Sequence, residues 1–152
     1  MSAQSDRFVH DRLPPREQWP ALRYDLPELR LPDRLNLVEE LLDKAQAKGF
    51  ADRPLLRSAR ITLTYQDVRD RVDRLARVLV EDLGLVPGNR VLLRGGNSIG
   101  LALAWLAVVK AGLVAVATMP LLRARELGDI IDKSQPVAAL CDGKLLDELE
   151  KA

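Results

Sequence analysis

Residues 87–127 read PGNRVLLRGGNSIGLALAWLAVVKAGLVAVATMPLLRAREL, and this stretch decides the fold. Val86-Pro87-Gly88-Asn89 carries proline at the second and glycine at the third position of a type II turn. Val91–Leu93 is an apolar run short enough for a buried strand, and Gly95-Gly96-Asn97-Ser98 leads into a helix over Ile99–Ala111. Gly112 ends that helix, Val114–Thr118 is a second apolar strand, and Pro120 closes it. Strand, helix and strand separated by tight breaks form a βαβ unit, whose strands pair in parallel. The helix is apolar on most faces, so it is expected to lie between the sheet and another element.

Upstream of this unit, Asn36 is a good N-cap for a helix over Leu37–Lys48, with Leu37, Val38, Leu41, Leu42 and Ala45 as its apolar stripe and Gly49 as its stop. Pro54–Arg57 and Arg60–Leu63 read as a short hairpin turning at Ser58-Ala59. Thr64 caps the next helix with Asp67 in a capping-box position. Val68, Val72, Leu75, Leu79 and Leu83 define its buried face, and Gly84 ends it. Its other face pairs Asp67 with Arg71, Asp70 with Arg74 and Asp73 with Arg77, each worth about 0.2–0.5 kcal/mol. The alternating signs favour a solvated face over a phosphate-binding patch. Downstream, a helix over Ala124–Lys133, a third strand over Val137–Cys141 and a final helix over Lys144–Lys151 continue the alternation. Residues 1–34 differ: Pro14, Pro15, Pro20, Pro27 and Pro32 break every period. This segment is expected to be an extended arm that packs over the domain through Phe8, Trp19, Leu22, Tyr24, Leu26 and Leu29. The fold class is therefore α/β: a partial doubly wound, mostly parallel sheet with helices on both faces over 35–152, plus the N-terminal arm over 1–34 and a short hairpin.

Composition narrows the function. At 152 residues, with 47% hydrophobic and 30% charged residues, the chain fits one globular domain with a real core. Twenty-three basic against 22 acidic residues leave a net charge of +1, which gives no electrostatic reason to invoke nucleic acid or an anionic membrane. The longest apolar stretch, Ile99–Met119, contains Lys110 and Gly112, so it reads as helix then strand and not as a membrane span. The N-terminus has no apolar signal-peptide core. The single cysteine, Cys141, permits neither an internal disulfide nor a metal cluster. A cytoplasmic location is the expectation.

Few residues carry chemistry. Arg94-Gly95-Gly96-Asn97-Ser98 follows a strand and opens a helix, where a phosphate sits in nucleotide-binding folds. It has neither the GxGxxG nor the GxxxxGK[ST] spacing, and glycines that let strand and helix pass closely are the preferred reading. His10, the only histidine, is expected at the surface. Cys141 is expected to act as a small hydrophobe. Asp147, Glu148 and Glu150 read as the face of the last helix. Met119-Pro120, followed by Arg123 and Arg125, is a strand terminator and a solvated helix start, or else one wall of a pocket at the carboxyl end of the sheet. The residues alone define a soluble α/β domain without an assembled active site, with neither catalytic nor metal-ligating residues.

Several segments nevertheless carry a resemblance. Thr64-Tyr65 before a helix, Gly88-Asn89-Arg90-Val91 before a strand, Asn97-Ser98 after it, Lys110-Ala111-Gly112 before the next strand and Pro120 followed by Glu126-Leu127 resemble the adenylate-forming acyl/aryl-CoA synthetase superfamily. Asp11–Pro20, Asp25–Asp43 and Thr118–Leu127 are similar to its benzoate- and 2-aminobenzoate-CoA ligase branch. The resemblance implies activation of a carboxylic acid by Mg-ATP to an acyl-adenylate, then thioester formation with CoA. Aryl acid, ATP, Mg and CoA are thus implied for a full-length relative. The family's phosphate loop, its aromatic-Gly-x-Thr-Glu segment, its ribose-binding Asp and its C-terminal-domain Lys have no matching position here. The resemblance therefore implies an N-terminal scaffold fragment that is inactive alone. Relatives place a base just after the strand-ending proline, near the CoA phosphates. Here Leu121 stands at that position and Arg123 is the first base, so Arg123 is the one cofactor-binding candidate. Leu113, after Lys110-Ala111-Gly112, departs from the alanine common in the family and reads as core packing. Two rival readings stand beside the scaffold: a stand-alone module that self-associates through an exposed truncated surface, and a small nucleotide-binding protein using Arg94–Ser98.

Overall fold

The computed structural model describes residues 3–152. Three strands, β3 (Arg90–Arg94), β4 (Val114–Thr118) and β5 (Ala138–Cys141), form a parallel sheet in the order β4-β3-β5. The register runs Arg90 to Val114 through Arg94 to Thr118 on one side, and Val91 to Ala138 through Arg94 to Cys141 on the other. The chain steps from β3 outward to β4, then back across β3 to β5. Right-handed crossovers in opposite directions put α3 (Ile99–Lys110) and α4 (Ala124–Ser134) on opposite faces of the sheet. β3 is buried from end to end, as a central parallel strand covered on both faces must be.

A second helical layer covers α3. α2 (Tyr65–Arg77) packs along α3, and the core runs through Val38, Leu42, Val68, Val72, Leu79, Val91, Leu93, Ala107 and Val108. The apolar character of α3 follows from this sandwiching, with Ala104, Leu106, Ala107 and Val108 all buried. The Thr64–Asp67 capping box forms as expected: Asp67 N–H donates to Thr64 Oγ1 at 3.1 Å, and Thr64 N–H donates to Asp67 Oδ2 at 2.9 Å. Asn36 caps its helix by accepting from Val38 N–H at 3.0 Å, while its amide donates to Lys110 O at 2.9 Å. The turn at Val86–Asn89 closes with Asn89 N–H on Val86 O, Gly88 taking φ +95°.

Several expected details differ. The helix after Asn36 is π-wound over Glu39–Asp43 before a short α1 (Lys44–Ala47). Val38, Leu42 and Ala45 are buried; Leu41, inside the π-wound stretch, is turned outward by the wider winding, and Leu37, at the start of the helix, is exposed as well. α2 likewise runs into a π-wound stretch, Val78–Asp82, which keeps Leu79 in the core and leaves Leu83 exposed. In the hairpin, β1 (Pro54–Arg57) pairs with β2 (Thr62–Thr64), which starts two residues later than expected. Ser58 causes the delay: its hydroxyl accepts from Ile61 N–H at 3.1 Å, closing a four-residue turn before pairing begins. The last segment is split into a 3-10 turn over Gly143–Leu145 and α5 (Leu146–Glu150).

None of the three expected acid–base pairs of α2 forms an ion pair among the described residues. Asp67 is engaged as a cap, Asp70 accepts from Gln66 Nε2 at 2.7 Å, and Arg74 donates to the main-chain oxygen of Asp70. Asp73 turns inward and pairs with Lys110 of α3. Asp43 lies 3.2 Å from Lys110 Nζ and 2.8 Å from Arg69 Nε, so two acids and two bases tie three helices together.

The arm departs most from expectation. Leu22, Tyr24 and Leu26 are exposed, Trp19 is 44% exposed, and the side chain of Leu29 lies outside the described residues. Prolines every few residues prevent a ladder that could carry these side chains onto the core, and only local 3-10 turns form. The arm is anchored by polar contacts near its start. Asp6 N–H donates to Pro87 O at 2.9 Å, and the Asp6 carboxylate accepts from Phe8 N–H at 2.9 Å, Asn89 Nδ2 at 2.8 Å and the Arg90 guanidinium. Of the expected anchors whose side chains are described, Phe8 reaches the domain, where the Arg90 guanidinium stacks 4.1 Å from its ring centroid. Among the described residues, no helix is long and apolar enough to cross a membrane.

Candidate functional site

The carboxyl end of the sheet gathers the loops after β3, β4 and β5. The β3 loop turns to one face and the other two turn to the opposite face, so a crevice opens between them, as α/β folds use for ligands. The crevice is organised by Arg94. This residue is 1% exposed, and its guanidinium donates to Met119 O at 3.1 Å, Pro120 O at 3.3 Å, Leu122 O at 2.8 Å and Leu145 O at 3.2 Å. One fork thus ties the β4–α4 loop and the turn after β5 to the end of the central strand. All four acceptors are neutral, so no hydrogen-bonded acid cancels the charge.

Two concavities flank Arg94. One, of about 280 Å³, lies between α3 and β5 and is lined mainly by Leu75, Leu101, Ala104, Leu140 and Cys141. Burial pushes the Cys141 thiol up, which makes it a poor nucleophile at neutral pH. The other, of about 330 Å³, lies between the β4–α4 loop and α5, with Arg94 in its floor and Arg123, Lys144 and Lys151 around it. Asp147 and Glu148 also line it. Glu148 accepts from Ala124 N–H at 2.9 Å, which, with Lys151 and Arg123 nearby, holds its carboxyl below the usual carboxylate range. Arg123 Nη1 lies 3.6 Å and Lys151 Nζ 3.8 Å from Glu148 Oε1.

The sequence candidates fall as follows. Arg123 stands at the groove with its side chain 77% exposed. Leu121 is solvent-exposed beside it. In the glycine loop, a Cβ on Gly95 would meet Leu101 Cδ1 at 3.4 Å, whereas one on Gly96 would meet open space. The contact at Gly95 is an ordinary van der Waals distance, so a tight strand–helix passage, the reading preferred from the sequence, accounts for neither glycine. Ser98 Oγ accepts from Leu101 N–H, capping α3. His10 lies at the surface of the arm, within 3.3 Å of Asp11 Oδ1. The sequence reading missed Arg94 as a clamp, Lys144 and Lys151 as companions of Arg123, and Glu148 as the shared partner of Arg123 and Lys151. The available signal was a basic residue at each end of a buried strand, Arg90-Val-Leu-Leu-Arg94.

These residues fit the implied cofactors unequally. The cation of the glycine loop, Arg94, is committed to carbonyl oxygens, and the first turn of α3 is already capped, so the loop does not suit the phosphates of ATP. Among the described residues no three His, Cys, Asp or Glu gather as metal ligands. The groove at Arg123 is basic and half-open, and suits a phosphate.

Comparison with known proteins fits this architecture. The chain belongs to the AMP-binding enzyme family, whose profile matches residues 43–152. A long-chain-fatty-acid–CoA ligase of Yersinia pestis is 31% identical over 127 residues, covering 84% of this chain and 22% of the relative. The chain therefore spans less than a quarter of that relative's length. Among solved structures, a benzoate CoA ligase from Burkholderia xenovorans LB400 superposes with a TM-score of 0.71 at 23% identity, covering 78% of this chain and 24% of the other. The anthranilate CoA ligase AuaEII in complex with anthranoyl-AMP gives a TM-score of 0.72 at 22% identity, covering 79% and 23%. At these identities the structural matches speak for the fold.

Proposed function

We propose that this chain is the scaffold portion of an AMP-forming acid–CoA ligase, with residues 35–152 as an α/β subdomain and residues 1–34 as its arm. The observation that carries the reading is family membership combined with a carboxyl-end crevice whose buried cation is spent on structure. In this reading the chain's residues build and hold the sheet, Arg94 fixes the loops that border the crevice, and Arg123 faces the phosphates of CoA. Adenylation belongs to residues that this chain does not supply, so the chain alone is inactive, in the cytoplasm as in the test tube. An aryl acid such as benzoate or 2-aminobenzoate is the proposed substrate class of the whole ligase, on the resemblance of Asp11–Pro20, Asp25–Asp43 and Thr118–Leu127 to the aryl-CoA ligase branch. The similarity to a fatty-acid ligase argues for a longer acid. ATP–pyrophosphate exchange by the chain, assayed with benzoate, 2-aminobenzoate and a long-chain fatty acid, should stay at background; exchange above background with any of them overturns the scaffold reading.

A second reading, self-association, is favoured by one observation. β4 and β5 are the two edges of the sheet, and Met119, Leu121 and Val137 at their ends are exposed. An uncharged edge such as Val114–Thr118 is open to strand pairing. Light scattering after size exclusion distinguishes the readings: a monomer at high concentration rules self-association out.

A further inference from the structure

We infer that the proline-rich strap closes over an apolar concavity on its own domain, with Trp19 as the knob and Leu41 and Trp105 at the mouth. The inference goes beyond the ligase reading and does not rest on it. The concavity, of about 290 Å³, is walled by Leu41 of the π-wound helix, Leu55 and Leu56 of β1, and Ala102, Trp105 and Leu106 of α3. Every one of these side chains is apolar, and Leu41 and Trp105 are 39% and 37% exposed. The strap in turn holds Trp19, Leu22, Tyr24, Leu26 and Leu31 in water. Exposed apolar surface on two parts of one chain favours contact between them.

Three observations make the strap the occupant. Its two ends meet at one place: Leu13, Asp33, Leu35 and Leu37 line a single concavity of about 760 Å³, so residues 14–32 leave and return at a common stem. Leu37 is one helical turn from Leu41, about 6 Å along the axis, which sets the stem beside the mouth. Trp19 follows Leu13 by six positions, a reach of at most about 20 Å. Second, the loop is free to swing. Among the described residues, the hydrogen bonds of residues 14–32 all stay within the strap. Third, Trp19 is prepared for burial. Its indole N–H donates to Pro14 O at 2.8 Å and its main-chain N–H to Arg16 O at 3.1 Å. The ring is thus held in a local turn with its polar atom satisfied, so burying it orphans no donor. A side chain already ordered, flanked by Pro14, Pro15 and Pro20, forfeits little entropy on docking. A second copy offers the same knob, but the stem keeps this one at a far higher effective concentration.

The chain's two tryptophans, Trp19 and Trp105, stand one on each side of the contact, so fluorescence of the full chain tests it. In Trp105→Phe, Trp19 is the sole emitter. Adding Leu41→Glu should raise acrylamide quenching of that emission about two-fold or more and shift it to the red, because a charge at the mouth expels the ring. Leu83→Glu, at another exposed leucine, should leave it unchanged. A reciprocal measurement covers the case in which Leu41→Glu fails to fold, since Trp19 lies outside the core. Quenching of Trp105 should be about two-fold greater in Trp19→Ala than in Trp19→Phe, which keeps a ring. Both differences should be independent of protein concentration. Trp19 quenching unchanged by Leu41→Glu in a folded variant, or Trp105 quenching equal in Trp19→Ala and Trp19→Phe, overturns the inference. So does protection that appears only as concentration rises, which makes a second copy the occupant. Either failure leaves the ligase scaffold standing, because that reading is tested by exchange activity.

Discussion

The two ends of β3 carry the same residue type in opposite electrical settings. At the amino end, Arg90 meets the Asp6 carboxylate, stacks on Phe8, and spends its remaining donors on Ser134 O at 3.1 Å and Gln135 O at 2.9 Å. At the carboxyl end, Arg94 meets carbonyl oxygens only. Both side chains are buried, and burying a guanidinium is tolerable only when its donors are satisfied. Arg90 is neutralised as well as satisfied, and its end of the sheet is closed by the arm. Arg94 is satisfied by carbonyl oxygens, with Glu148 within electrostatic reach but not hydrogen-bonded to it, and its end remains open. The closed end is where the arm is fastened to the sheet, and the open end is where the two concavities lie.

This contrast can be broken from either side. Arg94→Met should have the largest effect, because it removes the donor of four part-buried hydrogen bonds to carbonyls at once. A loss of about 3–5 kcal/mol, read from urea unfolding, is the expected scale for breaking such a site. Arg94→Lys keeps the charge but not the fork, and should recover only part of that loss. At the other end, Gly88→Ala places a Cβ 2.2 Å from Asp6 O at a φ of +95°. It should cost about 1–3 kcal/mol, and limited proteolysis should show the arm released before the core unfolds.

Asp6→Asn should have the smallest effect, and a pH-dependent one. The Phe8 N–H, then Arg90 and Asn89, hold the Asp6 carboxyl below its ordinary range. A lowered folded value means that the anchor's contribution is fully present above the unfolded value near about 3.9. It is then lost as pH falls through the folded value. Arm release, followed by proteolysis, should therefore rise below pH about 4 in the natural chain. In Asp6→Asn it should already be raised at neutral pH and stay flat. A core that loosens before the arm under acid would contradict this ordering.

How much of this the sequence disclosed depends on the range of the forces involved. The βαβ unit, the Thr64–Asp67 box, the Asn36 cap and the limits of β4 rest on neighbouring residues, and they stand as read. Leu83 and Leu41 were misplaced because a π turn changes the helical period without altering composition. Asp73 was assigned to Arg77 on its own helix, yet its partner Lys110 lies on another helix. The groove was out of reach for the same reason. Arg94, Arg123, Lys144 and Lys151 meet only after two crossovers have set three strands side by side. Arm docking is expected from the sequence to rest on aromatics and leucines, whereas beyond Phe8 it rests on Asp6, whose carboxylate finds its partners on the domain more than 80 positions away.

The proline-rich strap between the Asp6 anchor and Asn36 has one further consequence. The anchor is held at high local concentration only because that strap is continuous, and Arg16, Arg23, Arg30 and Arg34 lie along it in exposed positions. A single tryptic cut there would turn an intramolecular contact into a bimolecular one, so the freed peptide, anchored through the Asp6 main chain and carboxylate and the Phe8 ring, would leave far more readily. The integrity of this exposed strap, more than the strength of the contacts themselves, thus governs whether the amino end of the sheet stays covered.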